Sequence, residues 1–128
     1  MRRIDLITQA CDPKTLTVGQ LMQDALFTCT AQTDALTIGR LMTKQNFGGL
    51  PVVAEDGSLV GLVTEYDLLQ AMIEGRDLRK VFASEIMTTQ PLAARENMTL
   101  EEVANLFQDR YVTRLPVVRG KQLVGIVA

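Results

Sequence analysis

This 128-residue chain contains no histidine, and cysteine occurs only twice. Without an imidazole the chain lacks the commonest general base, the commonest zinc nitrogen ligand and every Ser-His or Cys-His nucleophile pair. Cys11 and Cys29 stand eighteen positions apart with no second pair to build a metal cage. They read as small fillers in a reducing, cytoplasmic setting, so no metal site is expected. Uncharged stretches run to about ten residues, short of the ~18–20 that a spanning helix needs, so no membrane contact is expected. The opening Met1-Arg2-Arg3-Ile4-Asp5 lacks the apolar run of a secretory signal. No glycine-rich phosphate loop of either common spacing occurs. Glycine and proline supply only 13 of the 128 residues, which excludes collagenous and low-complexity readings.

What remains is an ordinary globular composition, 47% hydrophobic, with 13 basic and 15 acidic side chains. That balance argues against a nucleic-acid partner. The charges are unevenly spread, with two bases against seven acids over 15–75 and eight bases against six acids over 76–128. The second half could therefore offer cations to a small anion. The plainer reading of the same charges is a set of ordinary solvated faces.

The chain repeats itself. At an offset of 65, Met22 falls on Met87, Leu41 on Leu106, and Leu50-Pro51-Val52-Val53 on Leu115-Pro116-Val117-Val118. One residue is lost in the following turn, and Leu59-Val60-Gly61-Leu62-Val63 then falls on Leu123-Val124-Gly125-Ile126-Val127. Two ordered matches of this length indicate a tandem duplication. The expected division is an N-terminal segment over 1–14, a first repeat over 15–79 and a second over 80–128. A single repeat of this size buries too little alone, so the two are expected to seal each other's sheets.

Both repeats read alike. An amphipathic turn (Leu16, Val18, Leu21, Met22; then Val81, Phe82, Ile86, Met87) leads into an extended piece, 25–30 or 91–94. A helix follows, with an apolar stripe of Ala35, Ile38, Leu41 and Met42, or Leu100, Val103, Leu106 and Phe107. Thr33 and Thr99 stand as its N-caps, the latter with Glu102 completing a capping box. Two strands come next, turning at Asp56-Gly57 or at Gly120. Pro51 and Pro116 suggest strand starts or edges, because proline cannot donate to a ladder. A further helix over 66–74 ends near Gly75. The second repeat shows no counterpart of that closing helix, which should leave an apolar face.

Thr64-Glu65-Tyr66-Asp67 is the sharpest local motif. It is a good helix cap, worth about 1 kcal/mol. A strand running into a helix N-terminus is also a seat for an anion, and an ionised aspartate accepts two hydroxyl donors at once. Arg114 precedes Leu115-Pro116 where the first repeat has Gly49. Its rigid donor fork matches phosphate, while the plainer reading is a charge that keeps a strand edge from pairing.

The doubled pattern of Met, helix, Leu-Pro-Val-Val, turn and Leu-Val-Gly-Leu-Val-Thr-x-x-Asp resembles the CBS domain, and its duplication resembles a CBS tandem pair or Bateman module. The resemblance covers 15–128. It implies an α/β (α+β) fold of two β-α-β-β-α repeats packed about a pseudo-two-fold axis. It also implies an adenosine ligand (AMP, ADP, ATP or S-adenosylmethionine) in the cleft between repeats, with no required cofactor and no catalysis. Carried over residue by residue, one site would comprise Thr64, Asp67, Thr88, Pro91, Leu92, Thr113, Arg114 and Leu115. A second, incomplete site would comprise Thr28, Gly49 and Leu50, with Ala128 in the place of Thr64. The implied role is regulation of an attached or partner effector, in a module that forms a homodimer. The rival reading is a dimerisation scaffold without a ligand.

Overall fold

The computed structural model describes residues 12–45, 48–110, 112 and 114–128. Its elements, in order, are α1 (Val18–Leu21), α2 (Ala35–Gln45), β1 (Gly49–Val53), β2 (Leu59–Thr64), α3 (Glu65–Ile73), a 3-10 turn (Leu78–Lys80), α4 (Ala83–Ile86), β3 (Thr88–Thr89), β4 (Ala94–Arg95), α5 (Leu100–Arg110), β5 (Leu115–Arg119) and β6 (Gln122–Val127). The fold is mixed α+β with two small sheets, ordered β1-β2-β3 and β4-β5-β6.

The chain forms two compact units, one of residues 1–25 with 92–128 and the other of 26–91. Their membership cuts across the sequence repeats, because each repeat's leading turn packs with the sheet of the other. In the first unit α1 is held by Val18 N–H donating to Met98 O (2.8 Å) and Gly19 N–H to Glu96 O (2.9 Å). Gln23 and Ile126 exchange both backbone bonds, at 2.8 and 2.9 Å. In the second unit Ala35 N–H donates to Val81 O (2.7 Å) and Ala83 N–H to Thr33 O (2.8 Å). There β3 pairs antiparallel with β2, Thr88 opposite Leu62.

The duplication holds to the level of single pairs. Cys29 bridges Val52 in parallel as Ala94 pairs with Val117. The bulge at Val52/Val53 recurs at Val117/Val118. Both hairpin turns carry a glycine at positive φ, Gly57 (86°) and Gly120 (63°), a conformation a β-carbon disfavours. Each unit has its own core. One gathers Ile38, Met42, Leu50, Val52, Val63 and Ala83, the other Val18, Ala94, Val103, Leu115, Val117 and Val127.

One local expectation is corrected and another holds in part. The N-cap of α2 is Asp34, not Thr33: its carboxylate accepts from Thr37 N–H (3.0 Å) and the Thr37 hydroxyl (2.7 Å), bonds that hold the Asp34 carboxyl below its usual range. Thr33 instead accepts from Thr30 N–H (3.1 Å). Thr99, at the matching offset, does cap α5, with Glu102 N–H donating to its hydroxyl at 3.2 Å. Pro51 stands on an edge strand as expected, since β1 is the outer strand of its sheet, whereas Pro116 is the second residue of β5, a central strand, just before the two residues that pair with β4. Pro51 lies opposite Leu62 within β1, fully buried, and its carbonyl accepts from Cys29 N–H (3.0 Å) on the side away from β2. Proline is tolerated because its donor-less nitrogen also faces that side, where the parallel pairing with Cys29 is only one bridge long.

Candidate functional site

β2 runs into α3 without an intervening residue, and Thr64 joins them in an extended conformation (φ −113°, ψ 168°). Asp67 Oδ2 accepts from Thr64 N–H (2.8 Å) and from the Thr64 hydroxyl (3.0 Å), while Asp67 N–H donates to Thr64 Oγ1 (3.4 Å). This reciprocal cap locks both side chains in one orientation. The second carboxylate oxygen, Oδ1, accepts no hydrogen bond among the described residues, so the cap leaves acceptor capacity for a hydroxyl donor. Glu65 N–H donates to Gly48 O (3.1 Å), which ties the first turn of α3 to the start of β1. α2 supports the same corner: the Gln45 amide donates to Gly49 O (3.2 Å) and accepts from Phe27 N–H (2.8 Å). Sequence reasoning missed Gln45. Its side chain serves the backbone on either side, and no spacing rule signals that.

Thr64, Asp67, Thr88 and Pro91 all belong to the second unit, as do Thr28, Gly49 and Leu50. Gly49 stands directly opposite Thr64 across β1 and β2, and Thr88 opposite Leu62, two residues earlier on the same face. Thr28 and Thr88 are exposed, and Pro91 is half-buried. Leu50 is fully buried opposite Val63, so its side chain is core and only its backbone could meet a ligand. Leu92, Arg114 and Leu115 belong to the first unit. Leu92 packs on that unit's core, and Leu115 is buried within it. Thr113 lies outside the described residues. Arg114 is half-buried and makes no ion pair or side-chain hydrogen bond among the described residues. Arg119 is spoken for: its guanidinium grips Glu96 at both oxygens (2.6 and 2.9 Å), which lowers the Glu96 carboxyl below its usual range. Arg76 is likewise paired with Glu85 at 2.6 Å.

Chemically, the corner offers a fixed carboxylate and a hydroxyl at a helix N-terminus. Glu65 and Asp67 place two acids in the first turn. Their repulsion disfavours a phosphate directly on that turn and favours a neutral polyol there, such as a ribose. No group of three or more potential metal ligands occurs among the described residues. No helix among them is long and apolar enough to cross a membrane.

The family model described as CBS domain matches residues 18–74 and 83–128. The CBS domain-containing protein YhcV of Bacillus subtilis is 40% identical over 89 residues, covering 69% of this chain and 62% of that protein. This chain thus spans less than two thirds of that relative. The uncharacterized protein YlbB of the same organism is 33% identical over 111 residues, 86% of this chain and 75% of its own length. Among solved structures, the CBS domain pair of MJ0100, in complex with 5′-methylthioadenosine and S-adenosyl-L-methionine, superposes with a TM-score of 0.81 at 27% identity, over 89% of this chain and 90% of that one. CBSX2 in complex with AMP gives a TM-score of 0.76 at 31% identity, over 88% and 90%.

Proposed function

The chain belongs to the CBS-domain family, and from that footing we propose that it is a regulatory module that binds an adenosine-bearing ligand and catalyses nothing. The Thr64–Asp67 corner carries the reading. Its pre-set carboxylate, with Oδ1 accepting no hydrogen bond among the described residues, is suited to take the ribose hydroxyls, and Thr64 is suited to a ribose oxygen. Arg114, unpaired among the described residues, is assigned to the phosphates, since a planar donor fork matches their oxygens. Thr88 and Pro91 are assigned to the walls of the same site. Two related pairs hold S-adenosylmethionine with methylthioadenosine, and AMP, which supports the adenosine class. One competent site per chain is expected, because Ala128 offers no hydroxyl where the first repeat has Thr64.

Regulation follows from differential affinity: a ligand that prefers one conformation tenfold biases it by about 1.4 kcal/mol, enough to sway an attached effector. The buried free thiol of Cys29 is in keeping with a reducing, cytoplasmic setting. Calorimetric titration of the whole chain with AMP, ADP, ATP and S-adenosylmethionine tests the proposal. Saturable binding of at least one, lost in Asp67→Ala, is expected. No binding by any of the four overturns it.

A second reading has its own observation. Tyr66, Leu69, Met72 and Ile73 on α3 are 70, 55, 58 and 78% exposed, an apolar face that a second copy would cover. A homodimer through this face, with no ligand, is the alternative. A chain that binds none of the four compounds and dissociates on Ile73→Glu would establish it.

A further inference from the structure

On the edge of β1 away from β2, Cys29 N–H donates to Pro51 O (3.0 Å) and Val53 N–H to Cys29 O (2.8 Å), the two bonds of one parallel rung. The next rung would lie two residues back on both strands, with Phe27 N–H on Gly49 O and Pro51 N–H on Phe27 O. Proline has no N–H, so that rung cannot close. The Gln45 side chain, at the end of α2, takes its place. Its amide oxygen accepts from Phe27 N–H (2.8 Å) and its amide nitrogen donates to Gly49 O (3.2 Å). The two backbone groups that would have met are thus joined through one interposed amide. Gly49 is buried, so its carbonyl needs such a partner. Arg110 holds the matching position in the second repeat. A guanidinium has donors only and cannot accept from a backbone N–H, so it cannot build this rung. The rung belongs to the repeat that carries Thr64 and Asp67.

We propose that Gln45 is a positioning residue for the Thr64–Asp67 corner. Gly48 O accepts from Glu65 N–H (3.1 Å), the first residue of α3, and Gly49 stands directly opposite Thr64. Gly48 and Gly49 have no side chains to anchor them and the freest backbone of any residue. Gly48 O is therefore only as well placed as Gly49, and Gly49 O is held by Gln45. Through these two bonds the amide fixes the first turn of α3, and with it the direction in which the Asp67 carboxylate meets a ligand. Gln45 touches no ligand itself. For its ligand this role rests on the nucleotide reading, whereas the positioning itself rests on hydrogen bonds within the second unit.

The test combines amide hydrogen exchange of the whole chain with calorimetric titration by AMP, ADP, ATP and S-adenosylmethionine. Gln45→Met keeps the length of the side chain and removes both bonds. It should speed exchange at Phe27 and at Glu65, and weaken each compound that the unaltered chain binds, by at least about fivefold, the worth of one hydrogen bond. Gln45→Glu keeps the acceptor and loses the donor, so Phe27 should stay protected while Glu65 is released. Val103 N–H, on Thr99 O (3.0 Å) in the other unit, should keep its protection in both variants, which a general loss of stability would not allow. Unchanged exchange at Glu65, equal release at Val103, or unaltered affinity once Glu65 is released overturns the proposal. An unaltered chain that binds none of the four compounds overturns the nucleotide reading instead, and exchange at Glu65 then decides the positioning by itself.

Discussion

Met87 Sδ occupies the space where a side chain on Gly61 would begin: a β-carbon built there would lie 2.5 Å from the sulfur and 3.1 Å from Thr88 O. The duplicate repeats it, with Gly125 at 2.6 Å from Met22 Sδ and 3.0 Å from Gln23 O. The recurrent glycine in each second strand is thus there to admit the methionine and the backbone that cross it. Since Met22 and Met87 belong to the leading turns, these contacts help to hold each turn on the sheet of the other repeat.

Gly61→Ala is therefore expected to cost about 1–3 kcal/mol as overpacking against backbone and sulfur. In a double-mutant cycle with Met87→Ala the losses should be less than additive, since the smaller residue makes room. Chemical denaturation measures both, and full additivity would place the strain elsewhere.

Asp67→Ala should lower stability by about 1 kcal/mol through the lost cap and weaken nucleotide binding by at least about tenfold. Calorimetry and denaturation on the same protein separate the two. A stability loss with unaltered affinity would leave Asp67 as a cap alone.

Arg114→Ala should weaken ADP and ATP more than adenosine, because the guanidinium is assigned to phosphate. Equal losses across the three ligands would remove it from that role.

Burial pushes the Cys29 thiol from 9.0 up to about 12. A neutral thiol favoured in the fold stabilises below the unfolded value, and that stability drains away as pH rises from about 9 toward 12. In a Cys11→Ser background, native protein should resist thiol alkylation at pH 8, and unfolded protein should react. Brisk native labelling would contradict the burial.

Ile38→Ala removes a side chain that is 0% exposed and should cost about 2–5 kcal/mol. A silent result in thermal denaturation would contradict the register of α2.

Much of this was legible in the sequence, for reasons that particular residues show. The capping box at Thr64–Asp67 is set by residues three apart, and local geometry decides it. The closing glycine at Gly75, at φ +76° with its N–H on Met72 O (2.9 Å), likewise needs only its neighbours. The cap of α2 was misread at Thr33 although the repeat offset from Thr99 points to Asp34, because two adjacent capping residues compete and only the carboxylate reaches Thr37 on both atoms. Pro51 was legible as an edge residue, because its donor-less nitrogen faces the side of β1 that carries only the single bridge of Cys29.

The sequence by itself determined the duplication, the family, and the order and type of the elements, because hydrophobic period, turn glycines and caps act over a few residues. Which segment joins which sheet was decided only by the tertiary structure. Leading turns that read as the start of their own repeat close the sheet of the other, since the strand edges and apolar faces they satisfy lie 26 to 103 residues away along the chain. The same holds for the burial of Leu50 and Leu115, and for the engagement of Arg119 with Glu96 while Arg114 makes no ion pair among the described residues. Each depends on what packs alongside, and no local pattern encodes that.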